Sequence, residues 1–367
     1  MRDLVVVVLA LALGGIALGF VFGCGGGGSS DDSSGSGQTK GPEAAGRRFL
    51  DRYVTSDGRV QRIDQGGDTV GEGQAYGMLI AAALGDEKRF DAIWDWTKEN
   101  LRRRDGLISF LWRDGKVQDP EAASDADVDA SRALLVAACR FNRPDLRKEA
   151  LQLSRAVLKV ETASTQDGPV LVAGPWATKE PQTVNPSYFS PATFAALQAA
   201  SGDGEWGSLS ASSRSIADKL MQPPARLPPD WATLEAGKPV GTGPPDNPGA
   251  APQFGFDAPR TLVRLAEDPD PAGREIAGRA WPVFDGQDPT TLPVEHDLTG
   301  KPTGSSLHPV VLVAAAGAAD AAGQTAARDR LLGAAEKLDK RSPTYYGGAW
   351  VALGRFMLTT DSLKSCQ

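Results

Sequence analysis

Three short segments of the chain place carboxylates at predicted helix starts. The segments are GEGQAYGM (71–78), ASDADVDASRALL (123–135) and FGFDAPR (254–260). Two carboxyl groups can act as a general acid and a general base when an apolar setting keeps one protonated and a cation keeps the other ionised. Glu72 precedes a nearly uncharged run and is the candidate acid. Asp257 is the candidate base, because Arg260 lies one helical turn away from it.

Aromatic residues recur in and around these segments. A cleft lined by carboxylates and aromatic rings favours a carbohydrate, because a sugar ring can stack on an aromatic face. Glycoside hydrolysis requires one carboxylic acid and one carboxylate on either side of the bond. The aromatic candidates are Tyr76, Trp112, Trp176, Tyr188, Phe254 and Phe256.

Each acidic segment also has a structural interpretation as a helix cap. Asp257, two residues before a proline, has the position of an N-cap, and Asp129 can be a solvated surface acid. Carboxylates near helix N-termini are also stabilised by the macrodipole. Two pairs have the spacing of a capping box, namely Thr69 with Glu72 and Ser124 with Asp127.

The glycines beside Glu72 are not explained by a cap. Gly71 and Gly73 disfavour the first helical turn, whereas glycine allows a ligand to approach the backbone closely. The presence of these two glycines favours a functional role for Glu72.

The elements that must position these acids are helices. Apolar residues recur at helical spacing, and strand signals are few, with one short excursion at LISFLWR between Asp105-Gly106 and Asp114-Gly115. Helices that are apolar all round alternate roughly with amphipathic ones, which predicts an inner ring enclosed by an outer ring. The predicted helices are 43–55, 73–84, 87–102, 125–141, 144–161, 190–201, 206–221, 256–267, 272–282, 305–320, 323–339 and 344–360.

A ring of this kind explains how distant acids could converge. If the inner helices run parallel, their N-termini meet at one end, and Glu72, Asp125 and Asp257 share one cleft. The stretch 222–254 is rich in proline and glycine and is predicted to be a long irregular loop.

Composition narrows the classes of function. The formal charge of the 367 residues is −7, which argues against nucleic acid or anionic lipid as the main partner. The only two histidines, His296 and His308, do not have the spacing of metal ligands, and the three cysteines form no CxxC. No cofactor or metal is expected.

The N-terminus indicates export. Leu4 to Phe22 is an apolar segment, and Cys24 follows Gly23 as in a bacterial lipobox. We expect a lipoprotein-type signal at 1–24, a flexible Gly/Ser linker at 25–42 and a catalytic domain at 43–367. A transmembrane anchor or simple secretion is the alternative to a lipid at Cys24. All of these place the domain outside the cytoplasm.

An extracytoplasmic location would permit the two remaining cysteines to pair. Cys139 lies in the apolar run ALLVAACRF and Cys366 lies near the end of the chain. A disulfide between them and two free thiols are both open.

Taken together, the acidic segments resemble glycoside hydrolase family 8. The resemblance covers about residues 43–360 and follows the family's order of motifs. The matching stretches are GEGQAYGM (71–78), FDAIWDWTKENL (90–101), ASDADVDASRALLVAACRF (123–141), NPSYFSP (185–191), FGFDAPR (254–260) and YYGGAWVALG (345–354).

The resemblance implies an all-α fold, the (α/α)6 barrel, and inverting hydrolysis of internal β-1,4 bonds. It implies that Glu72 is the general acid, that Asp257 is the general base, and that Asp125 binds and distorts the sugar at the cleavage point. The substrate-binding candidates are Trp112 as a stacking platform, Tyr188, Arg260, Tyr76 and Asp127.

The substrate is less closely defined. The resemblance to the endoglucanases of cellulose-synthesis operons favours cellulose, with the synthesis machinery as a partner. Xylan, chitosan and mixed-linkage glucan remain alternatives, since 222–254 and 293–308 differ from the family pattern. Two further alternatives have no catalytic activity. One is a glycan-binding protein on a degenerate hydrolase scaffold, and the other is a structural helical ring whose acids are all caps.

Overall fold

The apolar periodicity of the sequence gives helices at every position where the sequence predicts one. The structure is a computed structural model that describes residues 41–364. Its helices in this range are α1 Pro42–Tyr53, α2 Gly71–Leu84, α3 Glu87–Asn100, α4 Ser124–Arg140, α5 Pro144–Val160, α6 Pro191–Ser201, α7 Glu205–Leu220, α8 Ala258–Ala266, α9 Pro271–Gly278, α10 Trp281–Phe284, α11 Pro309–Ala321, α12 Thr325–Arg341 and α13 Tyr345–Thr359.

Six helices form a closed inner ring. The helices α2, α4, α6, α8, α11 and α13 each contact the next, and α13 contacts α2. The helices α1, α3, α5, α7, α9 and α12 pack outside them. Residues of α11 from Pro309 to Ala319 are all buried, whereas α5 buries one side only. The predicted (α/α)6 barrel is therefore confirmed. The predicted helix 272–282 is divided into α9 and the four-residue α10.

Three small sheets lie in the connections between helices. Their strands are β1 Thr69–Val70, β2 Leu111–Arg113, β3 Lys116–Asp119, β4 Thr162–Thr165, β5 Gly168–Leu171, β6 Gln182–Val184, β7 Trp231–Glu235 and β8 Lys238–Thr242. The β2–β3 hairpin turns at Asp114-Gly115, both with positive φ, as a two-residue hairpin of type I′ requires. The predicted strand excursion is confirmed.

The stretch 222–254 is more ordered than the sequence indicates. It contains β7 and β8, which pair with β6 in a three-stranded antiparallel sheet. Its hairpin turns at Ala236-Gly237, where both residues have positive φ. The prediction of an irregular loop is wrong for 231–242, because an Ala-Gly turn lacks the Asn-Gly or Asp-Gly signal that would have revealed it.

Buried ion pairs join α4 to α8 across the barrel. Asp129 accepts two hydrogen bonds from Arg264, each 2.7 Å long, and both side chains are at most 1% exposed. One turn further along, Arg132 makes two bonds of 2.7 and 2.9 Å to Glu267. The interpretation of Asp129 as a solvated surface acid is wrong. Successive ion pairs form between the two helices, because residues three or four positions apart lie on the same face of each helix.

Several expectations fall on parts of the chain outside the described range. The signal segment 1–24, the linker up to residue 40 and Cys366 lie outside residues 41–364. Helix α1 already begins at Pro42, the last residue of the predicted linker. Cys139, near the end of α4, is disulfide-bonded, which excludes a free thiol there. Within residues 41–364, no helix is both long and apolar enough to cross a membrane.

The buried pair between Asp129 and Arg264 should contribute strongly to stability. The substitution Arg264→Leu leaves a buried carboxylate without its partner, and we expect a loss of about 3–5 kcal/mol in the free energy of unfolding. Chemical denaturation at neutral pH measures it. The control is Lys219→Ala, which removes an exposed pair with Asp167 and should cost about 0–1 kcal/mol. Equal losses in the two variants would contradict a dominant role for burial.

Candidate active site

One buried arginine brings the three predicted acids together. Arg260 is 1% exposed and lies in the first turn of α8. Its Nη1 donates to Asp125 at 2.7 Å and lies 3.4 Å from Glu72 Oε2, and its Nη2 donates to Asp257 at 2.6 Å. The acids come from the N-terminal ends of α2, α4 and α8, as the convergence argument predicts.

Of the three acids, Glu72 interacts most weakly with the positive charge of Arg260. Besides Arg260, its carboxylate has only long contacts with two tyrosine hydroxyls, Tyr76 at 3.4 Å and Tyr345 at 3.5 Å. Burial raises the pKa of Glu72 to about 7, and the negative charge of Asp125 adds to this rise. The side chain remains 20% exposed, so a ligand can reach it. Glu72 is therefore placed to hold a proton near neutral pH and to deliver it outward.

Asp125 is enclosed more completely. It is 2% exposed, and its second oxygen accepts from the backbone N–H of Ala126 at 2.9 Å. Burial raises the pKa of Asp125, while Arg260 opposes that rise.

Asp257 is the most open of the three acids. Its side chain is 31% exposed. Arg260 binds one carboxylate oxygen, and the side-chain amide of Asn185 donates to the other at 3.1 Å. These contacts place a positive charge beside the carboxylate and fix its orientation.

None of the three predicted caps forms. Thr69 donates its hydroxyl to the carbonyl of Val60, and Ser124 donates to the carbonyl of Val172. The N-cap positions of α2, α4 and α8 have no side-chain capping bond. The carboxylates of Glu72 and Asp257 are therefore not occupied in satisfying helix ends, whereas Asp125 accepts one N–H at the start of α4.

The two glycines beside Glu72 make room for protein atoms. A Cβ on Gly73 would lie 2.7 Å from the hydroxyl of Tyr345, and one on Gly71 would lie 3.0 Å from Ser109 O. The idea that these glycines let a ligand approach is therefore wrong. They let neighbouring elements close around the acid.

The predicted substrate-binding residues fall into two groups. Trp112 is partly exposed, with its ring packed edge-on against Trp96 and under the guanidinium of Arg59. Tyr188 is 9% exposed, and its ring lies 5.2 Å from the Arg260 guanidinium carbon. Trp112 remains a candidate platform, while Tyr188 also supports the arginine.

Tyr76, Asp127 and Arg260 are at most 1% exposed, so the prediction that they contact substrate is wrong. Tyr76 instead accepts a 2.9 Å bond from Arg260 and points its hydroxyl at Glu72. Asp127 accepts from the backbone N–H of Ile108. Helical spacing places Tyr76 and Asp127 near the acids, but it does not show which side of each helix faces the open cleft.

Two polar contacts of the site were not predicted. Asn185, which orients Asp257, lies in the NPSYFSP segment, where only the aromatic residue was selected. Tyr345 begins α13 at the other end of the sequence. The sequence signals that could have indicated these contacts are the turn-forming Asn185-Pro186 and the pair Tyr345-Tyr346.

A second pair of carboxyl groups is buried behind Asp125. Both oxygens of Glu161 and one oxygen of Asp127 are buried without a hydrogen-bond partner. Burial raises the pKa of both groups well above their ordinary values, and the charge of Asp127 adds to the rise at Glu161. Burial thus favours the neutral forms of these two side chains.

No metal cluster is evident in the range from residue 41 to residue 364. His308 accepts from the N–H of Val310 at the start of α11 and contacts the hydroxyl of Thr344. A cavity of about 1510 Å³ lies at the opposite end of the barrel, where α4, α6 and α13 end, and is not part of the acidic site.

Comparison with known proteins identifies the family of the chain. The sequence model of Glycosyl hydrolases family 8 matches residues 36–253, more than half of the chain. A 214-residue segment is 30% identical to a probable endoglucanase of Novacetimonas hansenii, and it covers 55% of this chain and 62% of that relative. The chain thus matches about three fifths of that relative's length.

Solved structures share the fold over most of the chain. The endo-beta-1,4-glucanase CMCax of Acetobacter xylinum aligns with a TM-score of 0.72 and 27% identity, covering 86% of this chain and 98% of that chain. A beta-1,3-1,4-glucanase of Paenibacillus aligns with a TM-score of 0.78 at 18% identity, covering 86% of this chain and 90% of that one. At that identity the second match concerns the fold alone.

The buried pair behind Asp125 predicts a pH-dependent stability. A carboxyl group whose pKa is raised by folding does not change the free energy of unfolding below its unfolded pKa, which is about 4.3 for Glu. Above that pH, the group lowers the free energy of unfolding progressively as the pH rises. We expect Glu161→Gln to remove this loss, so that the melting temperature of the variant gains on the parent between about pH 4 and pH 8. The exposed Glu235→Gln is the control. A difference that stays constant with pH would contradict the assignment.

Proposed function

Because the chain belongs to glycosyl hydrolase family 8, we propose that it hydrolyses internal β-1,4 bonds of a glucan with inversion at the anomeric carbon. The single observation that carries the proposal is the contact of Arg260 with Glu72, Asp125 and Asp257. It supports one site containing a carboxylic acid and a carboxylate, the pair that this chemistry needs.

Glu72 is the proposed general acid. Its pKa of about 7 keeps a large fraction protonated at neutral pH. It gives its proton to the glycosidic oxygen as the bond to the anomeric carbon breaks, and the leaving sugar departs as a neutral alcohol.

Asp257 is the proposed general base. It takes a proton from a water molecule whose oxygen bonds to the anomeric carbon from the opposite face. Both acids contact one guanidinium, at 3.4 and 2.6 Å. The distance between their nearest oxygens therefore cannot exceed these two contacts plus the width of that group. This limit excludes a separation above the range of about 6.5–9.5 Å that leaves room for a water in inverting enzymes.

Asp125 is the proposed third acid, which binds the sugar at the cleavage point. Its carboxylate shares Arg260 with the other two acids, and its negative charge can stabilise the positive charge that develops on the sugar ring. Arg260 keeps this charge in place, because an unpaired carboxylate at 2% exposure would be costly.

Cellulose is the proposed substrate. The names of the Novacetimonas and Acetobacter relatives support an endoglucanase. Mixed-linkage glucan is an alternative, because the stretches 222–254 and 293–308 differ from the family pattern. Xylan and chitosan remain alternatives, since the contacts that distinguish these sugars lie in the connections between helices. A non-catalytic glycan-binding protein is less well supported, because all three acids are present and charge-coupled.

Substitution of the two main acids tests the mechanism. Glu72→Gln and Asp257→Asn should each lower kcat on carboxymethylcellulose by about 10²–10⁴-fold, with the fold retained. On a dinitrophenyl β-cellotrioside, Glu72→Gln should recover much of its activity, because that leaving group needs no proton. Asp257→Asn should not recover.

The matched control for this pair is the exposed Asp167→Asn, which should behave as the parent. Unchanged sugar release in either site variant would refute that residue's role. Oligosaccharide binding by a parent protein that releases no reducing ends would favour the glycan-binding alternative.

We also propose that the protein is exported and held at a membrane by a lipid on Cys24, where it would act near the cellulose-synthesis machinery. The lipobox-like residues before Cys24 support the anchor, and the family resemblance supports the setting. The substitution Cys24→Ala should move the protein from the membrane fraction to the soluble fraction after fractionation. Retention of the variant in the membrane would favour a transmembrane anchor instead.

A further inference from the structure

We propose that Asp230 is a positioning residue for Asp257, which it holds in place through the backbone of the 255–258 turn. This inference rests on the proposed function, because it assigns Asp230 to the base side of the reaction. Asp230 lies immediately before β7, in the stretch that the sequence indicates as an irregular loop.

One oxygen of Asp230 gathers three backbone N–H groups of that turn. Asp230 Oδ1 accepts from Gly255 at 3.0 Å, from Asp257 at 3.1 Å and from Ala258 at 2.7 Å. The backbone N–H of Asp230 in turn donates to the carbonyl of Gln253 at 2.8 Å. Asp230 therefore fixes the backbone on both sides of the Cα that carries the proposed base.

Gly255 makes this arrangement possible. A Cβ at this position would lie 2.5 Å from Asp230 Oδ2, a distance that forces one of the two groups to move. The φ angle of Gly255 is not in the left-handed region. An alanine there would thus be strained by contact with Asp230 and not by its own backbone.

Asp230 also frees Asp257 from acting as a helix cap. Asp257 occupies the N-cap position of α8, where an aspartate normally accepts from the backbone N–H two or three residues later. Pro259 has no N–H, and the N–H of Arg260 donates to the carbonyl of Asp257. Asp230 satisfies the N–H groups of Asp257 and Ala258. With the N–H of Arg260 also paired, no N–H of this turn requires the carboxylate of Asp257, which remains available to Arg260, Asn185 and water.

The β6–β7 pairing directs two side chains to the same acid. Val184 pairs with Ala232, so Asn185 after β6 and Asp230 before β7 lie at the same end of the sheet. Asn185 contacts the carboxylate of Asp257, and Asp230 contacts its backbone. The sheet thus determines both the position and the orientation of the proposed base.

The protonation state of Asp230 does not remove its accepting oxygen. Burial raises the pKa of Asp230 to about 7, and the charge of Asp257 adds to the rise, while the three N–H bonds oppose it. Both the acid and the carboxylate offer an oxygen to the turn. An asparagine would offer one as well, which makes Asp230→Asn the conservative variant.

The test compares Asp230→Ala with Asp230→Asn by kcat and KM on carboxymethylcellulose. We expect Asp230→Ala to lower kcat by about 10²-fold, as a misplaced catalytic group does, with KM nearly unchanged. Asp230→Asn should retain most of the parent kcat. Gly255→Ala, which leaves every carboxylate in the chain, should lower kcat in the same direction as Asp230→Ala.

A base-side defect has a further signature. The loss in Asp230→Ala should persist on the dinitrophenyl β-cellotrioside, as in Asp257→Asn and unlike Glu72→Gln. The control is Asp270→Ala, which removes another aspartate cap, at the start of α9. It should lower the melting temperature without changing kcat.

Two results would overturn this inference. One is a folded Asp230→Ala or Gly255→Ala that keeps the parent kcat. The other is a loss that disappears on the activated substrate. If the parent itself releases no reducing ends, the proposed function fails. If the parent is active, Asp257→Asn is inactive and the Asp230 and Gly255 variants are normal, only the role of Asp230 fails.

Discussion

The buried guanidinium of Arg260 is the interaction on which the site depends. Three carboxylates at the end of one barrel would repel each other, and removing them from water adds a further cost. Arg260 offsets both effects because its planar fork can contact several acceptors at once. Its neighbours complete the support: the Tyr188 ring lies against one face, and the Tyr76 hydroxyl accepts from Nη1. The acids and the arginine are thus stable only as a group.

The unequal sharing of that charge separates the roles of the acids. Asp257 and Asp125 receive short bonds of 2.6 and 2.7 Å, whereas Glu72 lies 3.4 Å from the arginine. Burial therefore dominates at Glu72 and raises its pKa to about 7. The register of α8 against α4 sets the distance from Arg260 to Asp125, and the buried pair between Asp129 and Arg264 one turn deeper fixes that register. The chemistry of the site is thus coupled to the packing of two inner helices.

Much of this arrangement was accessible from the sequence, and the limits have physical causes. Helical periodicity located the helices, and their alternation predicted the double ring, so acids at helix starts were expected to converge. The orientation of side chains was not accessible, because Tyr76 and Asp127 have the same spacing as contact residues but point inward. Asn185 and Asp230 were missed because they act through strand pairing between segments about 45 residues apart, and strand register leaves little local trace. The same limit applies to Gly71 and Gly73, whose neighbours Ser109 and Tyr345 are distant in sequence.

Helix capping and proton transfer compete for the same carboxylate, which explains why they are carried out by different residues in this chain. An acid at a helix N-terminus gains stability by accepting the free N–H groups there, and a carboxylate held in this way is less available to take or give a proton. In this chain the hydroxyls of Thr69 and Ser124 bond to distant carbonyls, and Asp230 supplies the cap for α8 from another element. The helix ends therefore provide position and electrostatic field, while the side chains of Glu72 and Asp257 remain partly exposed to the cleft. A sequence pattern that resembles a capping box is then a weak argument against catalysis wherever a second element can supply the cap.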